Sequence, residues 1–274
     1  MIRRTVFFVS DQTGITAETL GHSLMTQFDG IEFRQVTVPF IATVDKAIEA
    51  VRKIDLVGAQ EGVRPIIFST IVREDVRNVV RGSSGFFLDF FDPFLVPLET
   101  ELKTQSTHVS SRAHRMADMH SYATRIDATN FALANDDGSV TRDYERADLI
   151  LVGVSRSGKT PTCLYLAMQY GIFAANYPLT EDDLESRCLP PALDAFARKL
   201  FGLTISPDRL QQIRNERRPD SRYSSAAQVA FELRAAESLF ERNGIPMLDT
   251  TEVSIEEIST RILDRTGIER RLRP

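Results

Sequence analysis

Residues 147–170 read ADLILVGVSRSGKTPTCLYLAMQY, and this stretch decides the fold. Its first part, 147–152, is a short apolar run that predicts a buried strand. The next eight residues, 153–160, fit the pattern G-x-x-x-x-G-K-[ST] in full. An apolar-faced helix should follow, with Pro161 in its first turn, where a missing N–H group costs nothing. A strand, a glycine-rich turn and a helix in this order predict a phosphate-binding loop.

Every position of this loop is a candidate for holding a polyphosphate, because successive backbone N–H groups can point inward at phosphate oxygens. The candidate nucleotide-binding residues are Gly153, Val154, Ser155, Arg156, Ser157, Gly158, Lys159 and Thr160. Lys159 is also a candidate catalytic residue, since it supplies a movable positive charge to the terminal phosphates. The hydroxyl of Thr160 is the candidate ligand for an expected Mg²⁺ ion. Arg156 either adds a second positive charge over the phosphates or points to solvent, and the residues favour neither interpretation.

A loop of this kind needs a partner carboxylate, which commonly ends a second strand and holds Mg²⁺. Downstream, the apolar run 244–249 ends in Asp249, but its proline and its short length make it a poor strand. Upstream, the run 6–11 ends in Asp11 and is the better candidate. Asp11 can also be a helix cap or a turn residue, and the residues alone favour that alternative slightly.

The rest of the chain alternates between strand and helix periods, which predicts an α/β fold with parallel sheets. We expect an N-terminal parallel-sheet domain at 1–140 and a C-terminal P-loop nucleotide-binding domain with added helices at 141–274. The expected elements include strands at 6–9, 31–38, 65–68 and 172–175, and helices at 17–28, 44–51, 122–134, 193–200, 207–215, 226–243 and 254–263. Pro93 and Pro97 are expected to break any element near them.

Composition narrows the class of protein. The 274 residues are 42% hydrophobic with a net charge of −5, which excludes a disordered chain and gives no basic field for nucleic acid or anionic lipid. No apolar run approaches the roughly 18 residues that a membrane helix needs. Cys163 and Cys188 form no CxxC pattern, so free buried thiols in a reducing cytoplasm are expected.

Motifs outside the loop carry a family resemblance that covers nearly the whole chain. They are SDQTGITAE at 10–18, DDG at 136–138, GVSRSGKTPTCLYLA at 153–167, NYPL at 176–179, FGLT at 201–204 and SIEE at 254–257. On these motifs the chain resembles the bacterial phosphoenolpyruvate synthase regulatory proteins, which are relatives of the pyruvate, orthophosphate dikinase regulatory proteins. Gly158 favours the synthase-regulating branch, with the dikinase as the alternative target.

The resemblance implies a bifunctional enzyme. One activity is an unusual serine/threonine kinase that takes phosphate from ADP and modifies a threonine near the target's catalytic histidine, which inactivates the target. The other activity removes that phosphate by attack of inorganic phosphate and releases pyrophosphate. The segment 153–160 matches the family's ADP-binding segment. Phosphoenolpyruvate synthase is therefore the expected protein partner, and Asp11 is the candidate that orients or deprotonates its threonine.

Several residues outside the loop allow two interpretations. His114 matches a histidine of the family pattern and is a candidate catalytic acid, base or phosphate contact; a loop histidine bonded to its neighbours is the alternative that the residues favour. Histidines at 108, 114 and 120 are six apart, which does not predict a metal site. Five arginines within 209–222 form either a solvated face or a docking site for an acidic or phosphate-bearing surface. The aromatic stretch 86–91 indicates core or a homodimer interface.

Two rival functions remain open at this point. A small-molecule kinase that uses ATP would carry the same loop. A nucleotide-sensing module would bind ADP and act by contact alone, without any transfer.

Overall fold

A computed structural model describes residues 2–107, 119–138 and 141–272. The chain divides into two compact units, Met1–Arg115 and Met116–Pro274. Each unit contains a four-stranded parallel sheet, which confirms the predicted α/β class. His114 lies outside the described residues, and its catalytic role stays a prediction.

The first unit has four strands and four helices among residues 2–107. They are β1 Ile2–Val9, α1 Ile15–Met25, β2 Ile31–Val38, α2 Val44–Glu61, β3 Ile66–Ser69, α3 Glu74–Arg81, β4 Phe86–Asp89 and α4 Asp92–Leu102. The strand order is β2-β1-β3-β4. Phe7 and Val9 of β1 pack with residues of α2 and α3, whereas Val6 and Phe8 pack with residues of α1. Both faces of the sheet are therefore covered, as a parallel sheet requires.

Of two local predictions for this unit, one is confirmed and the other is wrong. Thr43 caps α2, since its hydroxyl accepts a hydrogen bond from the Lys46 backbone N–H. The expectation that Pro93 and Pro97 break any element is wrong, because α4 runs through both. Pro93 lies in the first turn, where no N–H is needed. No residue of α4 is buried, so water can solvate the carbonyl that loses its helical donor at Pro97.

The second unit has four strands and seven α-helices in its described part. They are α5 Met119–Ala134, β5 Leu149–Gly153, α6 Lys159–Tyr170, β6 Ala174–Pro178, α7 Glu181–Ser186, α8 Pro191–Asp194, β7 Leu200–Thr204, α9 Pro207–Arg217, α10 Ala226–Asn243, β8 Met247–Asp249 and α11 Ile255–Thr266. Short 3₁₀ turns lie at Asp136–Gly138, Arg142–Arg146, Ala197–Lys199 and Arg222–Ser224. The strand order is β6-β5-β7-β8.

The strand that leads into the loop is buried on both sides. Ile150 and Val152 belong to a core with residues of α9 and α10, and Leu149 and Leu151 belong to a core with residues of α6 and α11. Helix α5 contributes Ala128 to the second of these cores. The two units therefore divide before α5, earlier than the boundary expected at 140.

The predicted helix at 193–200 is wrong after Asp194, where a 3₁₀ turn at Ala197–Lys199 leads into a strand. Helix α8 ends at Asp194, and Leu200 begins β7, which is buried throughout and pairs with β5. The short run at 244–249 does form a strand, because β8 pairs with β7 directly after Pro246. Among the described residues, no helix has both the length and the apolar character of a membrane span.

Candidate functional site: a phosphate-loop cavity

The loop 153–160 joins β5 to α6, as its sequence predicts. Backbone sterics explain why glycine occupies two positions of this loop. A Cβ atom on Gly153 would lie 2.5 Å from the Leu203 carbonyl oxygen, so only glycine allows β7 to approach this closely. Gly158 caps α6 with φ of +91°, a left-handed conformation that side chains disfavour. The loop geometry is thus set by backbone positions that other residues cannot occupy without strain.

Lys159 is buried at the start of α6, with 5% of its surface exposed. Its Nζ donates a hydrogen bond to the Val154 carbonyl oxygen at 2.8 Å. Burial lowers the pKa of Lys159 to about 8, against the opposing effect of the nearby Asp137 and Asp136 carboxylates. A buried ammonium group with one neutral acceptor is poorly compensated. An anion held by the loop would supply the missing charge.

A carboxylate meets the loop at Thr160, but neither of the predicted aspartates provides it. The Thr160 hydroxyl donates to Oδ1 of Asp136 at 2.8 Å. The Asn176 amide on β6 donates to the same oxygen, and its Oδ1 accepts the Asp137 N–H at 3.2 Å. Asp136 is thus oriented by two partners from α6 and β6. The sequence predicted 136–138 as a family motif, and the position of its carboxylate beside the loop was missed.

The two aspartates that the sequence singled out have other contacts. Asp249 ends β8 and is exposed, and its Oδ1 accepts the Thr251 N–H at 2.8 Å. Asp11 follows β1 in the first unit, is 5% exposed, and its Oδ2 accepts the Val72 N–H at 3.4 Å. It does not cap α1, whose N-cap is Gly14. A catalytic role for Asp11 stays a prediction.

Arg214 holds the loop from α9, a role that was missed because Arg214 was assigned with its neighbours to either a solvated face or a docking site. It is fully buried. Its Nη2 donates to the Ser155 carbonyl oxygen at 3.1 Å and to Glu232 at 2.6 Å, and its Nη1 donates to the Tyr223 carbonyl at 3.1 Å. The Tyr223 hydroxyl is hydrogen-bonded to the Ser155 hydroxyl at 2.9 Å. Helices α9 and α10 therefore fix the first half of the loop.

A cavity of about 670 Å³ opens over the loop within the second unit. Its lining consists of Asp136, Asp137, Ser155, Arg156, Gly158, Lys159, Thr160, Pro161, Arg217, Arg218 and Tyr223. Four of these side chains are cationic and two are acidic, which favours an anionic ligand. The volume lies within the usual range for small-molecule sites. Arg156 is exposed and lines this cavity with φ of +77°, so it is available to an anion there.

The oxygen atoms at this site match the chemistry of Mg²⁺. The Thr160 hydroxyl and the Asp136 carboxylate are hard oxygen donors in direct contact. Mg²⁺ usually takes one or two protein oxygens and completes its shell with substrate phosphates and water. Within the described ranges, no group of three His, Cys, Asp or Glu side chains could hold a metal without such a substrate.

The two cysteines are free thiols, and they differ in burial. Cys163 is buried on α6, where burial raises the pKa of its thiol. Cys188 is exposed, so the expectation that both are buried is wrong for it.

Comparisons with known proteins agree with the motifs. The family model for kinase/pyrophosphorylase matches residues 6–263. A protein of Pseudomonas fluorescens, named "Putative phosphoenolpyruvate synthase regulatory protein", is 56% identical over 272 residues, which cover 99% of this chain and 100% of the relative. Proteins with the same name from Pseudomonas putida and Stutzerimonas stutzeri are 56% and 55% identical over the same shares of both chains. These matches confirm the resemblance: the chain belongs to the kinase/pyrophosphorylase family.

Proposed function

We propose that this protein is a bifunctional regulator of phosphoenolpyruvate synthase in the cytoplasm. It phosphorylates a threonine of the synthase with ADP as donor, and it removes that phosphate with inorganic phosphate as acceptor. Family membership supports a kinase or phosphotransferase activity, and the relatives' names support the synthase as target. The observation that carries the proposal is the cavity in which Lys159, Thr160 and Asp136 meet.

In the forward reaction the diphosphate of ADP lies in the loop, against the backbone N–H groups and Lys159. The target threonine oxygen attacks the β-phosphorus, the bond from that phosphorus to the bridging oxygen breaks, and AMP leaves. Lys159 and Arg156 neutralise charge on the transferring group. Thr160 and Asp136 would hold Mg²⁺, which neutralises phosphate charge when bound. The hydroxyl proton passes to a carboxylate, for which Asp11 is the candidate.

In the second reaction inorganic phosphate is the nucleophile. One of its oxygens bonds to the phosphorus of the phosphothreonine, and the bond from that phosphorus to the threonine oxygen breaks. The proton of the incoming HPO₄²⁻ goes to the threonine oxygen, and pyrophosphate leaves. Lys159 and Arg156 stabilise the transition states of both reactions, because each passes through a transferring phosphoryl group with charge on its outer oxygens.

The preference for ADP places a geometric demand on the site. The β-phosphate must occupy the position where a γ-phosphate reacts in an ordinary kinase. Buried Lys159 at the base of the loop suits a short polyphosphate, because its ammonium group lies close to the loop backbone.

Mass spectrometry of purified synthase tests the proposal. The synthase is incubated with this protein and either ADP or ATP that has been freed of ADP. Phosphothreonine should form with ADP and vanish when inorganic phosphate is added, with pyrophosphate released. Modification by pure ATP alone would favour an ordinary kinase. ADP binding without any transfer to the synthase would favour a sensor or another target, such as pyruvate, orthophosphate dikinase, which is assayed in parallel.

A further inference from the structure

Two arginines at the end of α9 line the cavity, although they lie far from the loop in the sequence. Arg217 is the last residue of α9, and Arg218 follows it as the C-cap. Both are exposed, and in the described part of the chain neither forms an ion pair with a carboxylate. Arg214, one turn earlier, is buried and paired with Glu232. The end of α9 thus presents two uncompensated positive charges to a cavity that already contains Lys159.

The chain after α9 holds the backbone at Arg218. The Arg218 carbonyl oxygen accepts hydrogen bonds from the hydroxyls of Ser221 at 2.9 Å and Ser224 at 3.1 Å. Tyr223, between these serines, binds Ser155 of the loop through its hydroxyl. The turn that holds Arg218 is therefore linked to the loop through the Tyr223 side chain.

The cavity has more cationic groups than a diphosphate alone requires. The loop backbone and Lys159 already face the two phosphates of the proposed nucleotide. Guanidinium groups bind phosphate with two parallel hydrogen bonds, and an adjacent pair suits a dianion. Asp136 and Asp137 line the same cavity, and their charge disfavours a second anion beside them. A further phosphate would therefore be held by the arginines, on the α9 side.

We propose that Arg217 and Arg218 form a second phosphate subsite, which binds a phosphate dianion that is not part of the nucleotide. The inference rests on the proposed function and deepens it. The occupant we expect is the inorganic phosphate that attacks the phosphothreonine and leaves as half of pyrophosphate. The phosphate of the phosphothreonine itself has the same chemistry and is the other source to be distinguished.

Titration of inorganic phosphate by calorimetry tests this subsite in two backgrounds. One is the protein saturated with ADP, and the other is Lys159→Ala without nucleotide, so that phosphate bound in the loop does not dominate. The double variant R217Q/R218Q should weaken phosphate binding by at least about tenfold in both backgrounds, because charge-assisted hydrogen bonds are lost. Its affinity for ADP should change by less than about threefold.

The matched control is R209Q/R242Q, which removes two exposed positive charges outside the cavity lining. It should leave phosphate affinity within about twofold. An unchanged phosphate affinity in R217Q/R218Q, or an equal loss in the control, would overturn the subsite.

Titration with free phosphothreonine identifies the source. Tighter binding of inorganic phosphate assigns the subsite to the acceptor, tighter binding of phosphothreonine assigns it to the target's phosphate, and either supports the subsite. Failure of the proposed function is a separate result. If ADP yields no phosphothreonine on the synthase, that function fails, while the phosphate titration in Lys159→Ala still reports on the two arginines.

Discussion

The two units of this protein share a strand order and differ in the side chains at the same turn. The orders β2-β1-β3-β4 and β6-β5-β7-β8 are equivalent, and all pairs are parallel. In each unit the first strand is followed by a turn and a helix that begins after a left-handed glycine, Gly14 with φ of +88° and Gly158 with φ of +91°. The next two residues are Ile15-Thr16 in the first unit and Lys159-Thr160 in the second.

The two turns therefore share a backbone arrangement but differ in the chemistry of their side chains. Ile15 is 56% exposed, whereas Lys159 is buried in its loop. The first turn carries the buried Asp11, which would repel an anion, and the second carries Arg156. Of these two turns, the second therefore favours an anion and the first does not, although both follow the same strand–turn–helix arrangement. Function depends on the side chains placed on the turn rather than on the topology.

Lys159→Ile gives the second turn the residue that follows the glycine in the first turn. Of the variants considered, it should have the largest effect on transfer from ADP. Transfer from ADP should fall by about a thousandfold, because the main phosphate-facing charge is lost. Folding should survive, since a buried ammonium with a lowered pKa contributes little to stability. The initial rate of phosphothreonine formation is measured beside a melting curve. The control Ile15→Lys should change neither, and a normal rate in folded Lys159→Ile would end the loop assignment.

Asp136→Asn should slow transfer by about a hundredfold, because it removes the carboxylate in contact with Thr160. The matched control is Asp249→Asn, an aspartate of the same unit whose carboxylate binds its own turn. That variant should lose about 1 kcal/mol of stability and keep its rate. Rates at saturating ADP and several Mg²⁺ concentrations give the comparison. Equal rates for the two variants would remove Asp136 from the site.

Asp11→Asn tests whether the first turn takes part in catalysis. If Asp11 orients the target threonine, transfer should fall by at least about tenfold while ADP affinity is unchanged, since one charge-assisted hydrogen bond is lost. Transfer rate and ADP affinity are measured on the same preparation. A fall in melting temperature at constant rate would assign Asp11 to the turn alone.

Alanine at the two left-handed glycines should have the smallest effect. Gly158→Ala should cost about 1 kcal/mol through backbone conformation alone, because its Cβ would meet nothing within 4 Å. Gly14→Ala should cost more, since its Cβ would lie 3.0 Å from Thr37. Denaturant unfolding gives both values. ADP affinity should fall only in Gly158→Ala; a fall in Gly14→Ala would contradict the assignment of the nucleotide to the second unit.

Short-range signals predicted much of this structure. The loop 153–160 was predictable because its chemistry lies within eight residues, and three strands of the first unit, β1, β2 and β3, were predictable from apolar runs; β4 was not predicted as a strand. Helix 193–200 was misread because Leu193, Ala197 and Leu200 follow a helical spacing, whereas Leu200 belongs to a parallel strand.

The missed parts of the site depend on long-range contacts. Asp136 meets Thr160 across 24 residues and Asn176 across 40. Arg214 is buried because Glu232, on the next α-helix, compensates its charge. The charge pattern of 209–222 gives no sign of that partner. The composition of this cluster therefore predicts that all five arginines are exposed. Only the packing of α9 on α10 shows that Arg214 is buried, unlike the others.

Calorimetry of ADP binding tests the central claim, that the second unit holds a nucleoside diphosphate through Lys159. Burial lowers the pKa of Lys159 to about 8, so at pH near 9 the free protein carries it mostly neutral and near pH 7 mostly charged. Bound phosphates favour the charged form, so ADP binding should take up close to one proton near pH 9 and far less near pH 7.

Titrations of the protein with ADP and Mg²⁺ in two buffers of different ionisation enthalpy give the proton count. We predict one ADP per chain with this pH-dependent uptake, and loss of both in Lys159→Ile. Undiminished ADP affinity in Lys159→Ile, or equal proton uptake at both pH values, would contradict it.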